Sequence, residues 1–322
     1  MKVTVVGAGN VGATVANVLA QKKFCSEVVL VDIKDGVPQG KAMDIMQTAH
    51  MLNFNTRVVG VTAQPGDENG YAPTAGSEVV VVTSGIPRKP GMTREQLIGT
   101  NAKIVKSVVD QAMKFSPDAY FIIIPNPMDS MTYLTLKDTK LPRNRVIGQG
   151  GMLDSSRFRY FLAQALTKAG YPASVTDVDG MVIGGHNDKT MVPLVSLATW
   201  RGVPVTDLLS KEALDDVVAQ TKVGGATLTG LLGTSAWIAP GAAAAALVEA
   251  IAMDEKKLIP CCVSLEGEYG EKDLCIGVPV VLGAKGVEKV VELKLAGEEK
   301  EKFEASVQAA RDTNAKLGEA LK

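Results

Sequence analysis

The spacing of apolar positions gives the two halves of the 322-residue chain different textures. In the first half, short apolar runs alternate with segments whose apolar residues return every three or four positions. Residues 3–6 are β-branched, apolar and few, and predict a strand, while residues 11–19 place Val11, Val15, Val18 and Leu19 on one helical face. Residues 28–33, 79–83 and 120–124 read as further strands. The last two are nearly unbroken apolar runs, as expected of strands covered on both faces of a parallel sheet. Residues 103–113 between them read as a helix, as do residues 43–52. Such alternation predicts a parallel sheet with helices on both sides.

The second half follows another rhythm. Residues 156–169 read as a helix, and residues 175–183 as a strand leading into Gly184-Gly185-His186. Helical spacing returns over 214–223 and 242–253. Residues 259–295 read as several short strands, broken at Gly267-Glu268-Tyr269-Gly270 and Gly283-Ala284-Lys285-Gly286 as at the turns of an antiparallel sheet. Residues 298–321 form a charged amphipathic helix. No repeat or low-complexity linker separates the halves, which meet near residues 145–155 and predict a rigid two-lobed body.

Composition narrows the possible partners. Hydrophobic residues make up 46% of the chain, enough for a large core. The formal net charge of -1 leaves no broad basic footprint for nucleic acid and no polybasic segment for an anionic membrane. The longest apolar stretch, 236–248, is interrupted by Pro240 and Gly241 and ended by Glu249. It is shorter than the ~20 residues of a membrane span and reads as a buried helix. The N-terminus runs straight into a strand, without the cleavage site of a signal peptide. Cys25, Cys261, Cys262 and Cys275 form no C-x-x-C pair. They suggest no metal site and read as small core residues of a cytoplasmic protein.

Candidate chemistry begins at Gly7-Ala8-Gly9-Asn10-Val11-Gly12. This G-x-G-x-x-G follows a strand, opens a helix, and precedes a second strand ending in Asp32. That whole context marks a dinucleotide site of the Rossmann type. Gly7 permits the tight turn, Gly9 lets the backbone approach a pyrophosphate, and Gly12 lets helix and strand pack closely. The helix N-terminus offers free N–H groups to phosphate. Asp32 would accept hydrogen bonds from ribose hydroxyls and repel a 2′-phosphate, which favours NAD over NADP.

The chain has two histidines, His50 and His186. His50 sits in a helical segment and reads as structural. His186 follows two glycines at a strand end, where a ligand can come close, and imidazole is a natural proton carrier near neutral pH. Asp154 and Arg157, three apart in Leu153-Asp154-Ser155-Ser156-Arg157, share a helical face. They are equally consistent with a helix cap plus ion pair and with a histidine partner beside a carboxylate-binding arginine. Gly85-Ile86-Pro87-Arg88-Lys89-Pro90-Gly91-Met92-Thr93-Arg94 reads as a loop beyond a strand. It is either solvated or able to close over an anionic substrate. Asn126, between Pro125 and Pro127 at another strand end, is a turn asparagine or a substrate or ribose contact.

With these motifs in this order over essentially the whole length, the chain resembles the lactate/malate dehydrogenase family. The resemblance rests on GAGNVG from Gly7, IPRKPGMTR from Ile86, LDSSRF from Leu153 and GGH from Gly184. It implies an α/β fold: an N-terminal Rossmann parallel sheet over residues 1–148, and a C-terminal α+β catalytic domain with antiparallel strands over 149–322. It further implies a reversible NAD-dependent oxidation of malate to oxaloacetate in a cytoplasmic homodimer or homotetramer. His186 would carry the proton, with Asp154 as its partner. Arg157 would bind the carboxylate beside the reacting carbon, Arg94 would polarise the carbonyl, and Arg88 would hold the distal carboxylate. Asn126 would touch substrate and cofactor; Asn101 and the Ile124 backbone would touch the cofactor. Alternatives are a lactate or other 2-hydroxy-acid dehydrogenase, against which Arg88 speaks, and a non-catalytic NAD-binding protein. The chain departs from the family pattern at Met152, at Ile124-Pro125 and at Asn187, which follows His186 where glycine is more usual.

Overall fold

The structure, a computed structural model, describes residues 1–86 and 94–320, with only the main chain described at 94, 95 and 318–320. The first half contains β1 (Lys2–Val6), α1 (Asn10–Lys22), β2 (Glu27–Asp32), α2 (Val37–Gln47), α3 (Ala49–Leu52), β3 (Arg57–Thr62), β4 (Val79–Val82), α4 (Arg94–Phe115), β5 (Tyr120–Ile123), α5 (Met128–Thr139) and β6 (Val146–Gly148). These strands are parallel and lie in the order β3-β2-β1-β4-β5-β6. All four residues of β4 are fully buried, as its unbroken valine run requires. The strand order reverses between β1 and β4. Crevices at the carboxyl ends of strands on such a boundary are where open α/β sheets bind ligands.

The second half contains α6 (Gly151–Lys168), β7 (Val178–Asp179), β8 (Val182–Gly184), β9 (Met191–Pro193), β10 (Thr199–Trp200), β11 (Val203–Pro204), α7 (Lys211–Leu232), α8 (Ile238–Ala252), β12 (Lys257–Glu266), β13 (Lys272–Gly283), β14 (Gly286–Val290) and α9 (Gly297–Ala320). The large sheet continues past β6 as β12-β13-β8-β9, now antiparallel, through one register pair, Cys262 with Gly148. A Cβ on Gly148 would collide with the Met128 and Thr132 side chains, so only glycine lets the two halves of the sheet meet here. Helix α8, the long apolar stretch of the sequence, packs on α1 through Gly241, where a Cβ would stand 2.6 Å from Thr14 Cβ. Among the described residues no helix is long and apolar enough to cross a membrane. All four cysteines are free and buried.

Several expectations need correction. The strand expected over 175–183 is two short strands in different sheets. Residues Val175–Asp177 form a turn started by Ser174, β7 pairs with β10, and β8 joins the large sheet. The chain changes sheets at Gly180, which lies against the Phe158 ring with no room for a Cβ. The several short strands of 259–295 are in fact two long ones, β12 and β13, paired over nearly their whole length, with β14 returning on β13. Helix α5 was not evident in the pattern because its buried face carries Thr132 and Thr135 beside Met128 and Met131. Both hydroxyls are satisfied within the helix, bonding to the carbonyls of Met128 and Met131 at 2.9 Å. Polar residues thereby occupy positions at which apolar ones signal a helix.

Candidate active site

The carboxyl ends of β1, β4, β5 and β6 line one edge of the parallel sheet. Gly7 follows β1 with φ +109°, a conformation that strains any side chain, and its N–H donates to the Val31 carbonyl at 2.7 Å. Gly12 sits so close to Gly7 that a Cβ would overlap the Gly7 carbonyl oxygen. Gly9 caps α1 with no side-chain hydrogen bond, no acidic residue occupies the first turn, and nothing lies within 4 Å of where its Cβ would be. The result is an open cradle that leads to uncapped N–H groups and the positive end of a helix. These features suit a pyrophosphate.

Asp32 ends β2 beside this turn. Its Oδ2 accepts the Ala8 N–H at 2.6 Å and its Oδ1 the Lys34 N–H at 2.9 Å, which aims the half-buried carboxylate at the crevice. The Ala8 N–H is therefore committed to Asp32, whereas Asn10, Val11 and Gly12 begin the uncapped turn. The donor set fits a dinucleotide with free ribose hydroxyls.

Along the same edge, Ile124 follows β5 with its N–H on the Val82 carbonyl at 3.1 Å, and exposed Asn126 precedes α5 through a cis bond to Pro127. Asn101, expected to touch the cofactor, is 1% exposed and already engaged. Its Oδ1 accepts the Ile86 N–H at 2.8 Å, and its Nδ2 donates to the carbonyls of Ile86 and Asn126 at 3.1 and 2.7 Å. This side chain ties two strand-end loops together and has no free donor for a ligand. Arg88 lies outside the described residues; Arg94 begins α4, with its side chain outside the description.

The charged centre lies past β6. Gly150 packs beneath His186, where a Cβ would stand 2.9 Å from the His186 Cβ. In α6, Asp154 is 2% exposed and holds two partners: His186 Nδ1 at 2.7 Å from Oδ2, and Arg157 Nη1 at 3.1 Å from Oδ1. Residues 32 positions apart thus meet at the end of β8. Burial opposes protonation of His186, but the charge and hydrogen bond of Asp154 and the charge of Asp129 more than offset it, so the imidazole is held above its ordinary pKa. Arg157 has a buried Nε without a partner among the described residues, and its guanidinium lies against Gly224 and Gly225 of α7. The two glycines leave room beside a cation with unused donors, as carboxylate binding needs.

Asn187 has a structural explanation. Its Oδ1 accepts the N–H groups of Lys189 and Thr190 at 3.0 and 3.2 Å and closes the turn after His186. His50 is exposed on α3, away from these contacts. The sequence reading missed Asp129, whose Oδ2 accepts the His186 main-chain N–H at 2.8 Å, and Ser306, whose hydroxyl accepts the Gly185 N–H at 2.8 Å. A proline followed two residues later by aspartate is a helix-start signal that marks the place of Asp129. Nothing local marks Ser306.

Comparison with known proteins agrees along the whole chain. Residues 1–148 match the lactate/malate dehydrogenase NAD binding domain, and residues 151–319 the lactate/malate dehydrogenase alpha/beta C-terminal domain. A malate dehydrogenase of Bacteroides fragilis is 63% identical over 99% of this chain and 98% of its own. The solved malate dehydrogenase of Salinibacter ruber superposes with a TM-score of 0.91 at 44% identity, covering 99% of this chain and 98% of that one. A lactate dehydrogenase of Cryptosporidium parvum, solved with lactic acid and nicotinamide adenine dinucleotide, superposes with a TM-score of 0.91 at 36% identity over 98% of each chain.

Proposed function

The chain belongs to the lactate/malate dehydrogenase family, and from that premise we propose that it interconverts malate and oxaloacetate with NAD. The observation that carries the reading is the His186–Asp154–Arg157 cluster, placed on the same sheet edge as the nucleotide cradle. Bound NAD would be held by the loop from Gly7 to Gly12, with Asp32 at the ribose and the Ile124 backbone and Asn126 nearby. When bound, it supplies the acceptor for hydride from the substrate carbon.

The protein side of the chemistry follows from the cluster. In malate oxidation, neutral His186 takes the hydroxyl proton at Nε2. Asp154 holds Nδ1–H, so that Nε2 is the basic nitrogen, and stabilises the imidazolium as it forms. Arg157 grips the carboxylate next to the reacting carbon with its unused donors. In the reverse direction, protonated His186 donates to the carbonyl. Arg94 would polarise that carbonyl, and Arg88 would pair with the distal carboxylate.

We place the domain division between residues 148 and 149, supported by the single register pair that joins the two parts of the sheet. A cytoplasmic homodimer or homotetramer is part of the same reading. It is supported by exposed Met43, Met51, Leu231 and Ile238, large apolar side chains of a kind that subunits cover.

The test is NADH consumption with oxaloacetate or pyruvate, in the wild type and in His186→Asn. Fast turnover of oxaloacetate that the variant abolishes supports the reading. Preference for pyruvate would make the chain a lactate dehydrogenase, and turnover with neither would leave it an NAD-binding protein.

A further inference from the structure

We propose that Asp129 is a positioning residue for His186, clamping its main chain while Asp154 holds its ring, and keeping a second anion near the imidazole. This rests on the reading of His186 as the proton carrier. Asp129 stands in the first turn of α5, and β8 ends at Gly184. Beyond that point the next two N–H groups leave the sheet and are taken by side chains of two other helices. Gly185 N–H donates to Ser306 Oγ of α9 and His186 N–H to Asp129 Oδ2, each at 2.8 Å. Asp154 fixes the ring, and these two side chains fix the backbone that carries it.

Holding an N–H would not by itself require a carboxylate, since an amide oxygen does the same. A carboxylate is costly here: Asp129 Oδ1 is buried without a hydrogen-bond partner among the described residues, and burial pushes the Asp129 pKa up against the pull of the His186 main chain and ring. The N-terminus of α5 offsets part of that cost. The charges around the ring give the anion a use. From α6 come Asp154 and Arg157, and Arg157 both occupies one oxygen of Asp154 and itself disfavours a proton on His186. From α5 comes Asp129, which favours that proton. The groups facing Asp129 from the sheet are the Cys262 and Cys275 thiols, kept neutral by burial, so no cation on those strands cancels it. Asp129 thereby restores the pull on a proton that Arg157 weakens.

The chain has only two histidines, which makes the test direct. Ring resonances of ¹³C-histidine-labelled full-length protein are titrated in wild type, Asp129→Asn, Asp129→Glu and Asp129→Ala, with His50→Gln assigning the two signals. The pH profile of oxaloacetate reduction is recorded beside them. Asp129→Asn keeps an acceptor and loses the charge, so the His186 midpoint should fall by about one pH unit. The alkaline limb of the rate should fall with it. Asp129→Glu should titrate near wild type. Asp129→Ala should add a loss of kcat of about tenfold at every pH, because the backbone is released.

A His186 midpoint unchanged in Asp129→Asn, or a Glu variant that titrates like the Asn variant, would overturn the charge role. Equal kcat in the Ala and Asn variants would overturn the clamp. If the midpoint moves and the rate does not follow it, the link to Asp129 stands, and the assignment of His186 as proton carrier is what fails.

Discussion

Asp154→Asn tests the charged centre with the least change of shape. The carboxylate offers two acceptors and both are used, by His186 Nδ1 at 2.7 Å and Arg157 Nη1 at 3.1 Å. An asparagine has one oxygen and one amino group, and both partners demand an acceptor. If the oxygen faces Arg157, the amino group faces His186 and forces Nδ1 to accept. The proton then sits on Nε2, the nitrogen proposed to take the substrate proton. If the oxygen faces His186, two donors collide at Arg157. Either way one hydrogen bond to a charged group is lost in a site 2% exposed, worth about 1.5–3 kcal/mol. That bond is strongest when His186 is protonated, so the loss falls mainly on turnover: about ten- to 150-fold in kcat. The nucleotide cradle is untouched, so NADH affinity should stay within about twofold. The sign for pH follows from the raised pKa of His186. With His186 as the proposed proton carrier, oxaloacetate reduction should need the protonated ring and be lost as pH rises through its pKa; malate oxidation should need the neutral ring and be lost as pH falls through it. Without the Asp154 charge both limbs move to lower pH. Steady-state NADH kinetics across pH read all of this. A variant with wild-type kcat and an unmoved profile would refute the reasoning.

Other positions give sharp expectations. Gly12→Ala puts a methyl into the Gly7 carbonyl oxygen and should weaken NADH binding at least about tenfold by fluorescence titration, while His186 titrates as before; retained affinity would mean that the turn yields easily. Arg143 pairs with Glu268 at 2.8 Å and holds its carboxyl down to about 2, so the pair contributes stability above the ordinary carboxylate range that is lost as pH falls toward about 2. Arg143→Ala should lower stability by about 1–2 kcal/mol at neutral pH, with the gap closing in acid; a gap in Tm independent of pH would argue against the ion pair. If Arg88 pairs with the distal carboxylate as proposed, Arg88→Gln should cut kcat/KM for oxaloacetate about a hundredfold or more and raise it for pyruvate; an unchanged ratio would mean that another residue reads that carboxylate.

What was legible in the chain was whatever depends on neighbours in sequence. The first strand, the glycine turn and the first helix are one local unit, and Asp32 follows at the end of the next strand, so spacing alone carried the cradle. The four valines of β4 likewise announced a strand buried on both faces. His186 and Asp154 could each be singled out by type, but their contact spans 32 positions and depends on α6 packing against β8, which no local spacing encodes. Asp129 was hidden because α5 buries threonines whose hydroxyls bond inside the helix. Asn101 was expected to touch the cofactor, and its bonds to two strand-end loops were not foreseen. A buried amide finds its bonds in whichever main chain is nearest, here Ile86 and Asn126.

The charges of the site explain why so many buried polar groups are tolerated there. Asp129, Asp154, Arg157 and His186 lie together, and with both aspartates ionised and a neutral imidazole the set would carry a net negative charge that one proton cancels. Buried ion pairs seldom stabilise a fold as well as packed apolar residues would, so stability does not account for this set. On the role proposed for His186, proton binding does. With the ring protonated, an incoming keto acid meets a neutral cluster that offers it two donors, the imidazolium and the spare face of Arg157. After reduction the ring would have given up its proton, and the negative charge returning to the cluster would repel the carboxylate beside the reacting carbon. On the proposed roles, the same four groups would favour entry of the substrate with the proton in place and departure of the product once the proton has been passed on. Removing either aspartate should weaken both effects together.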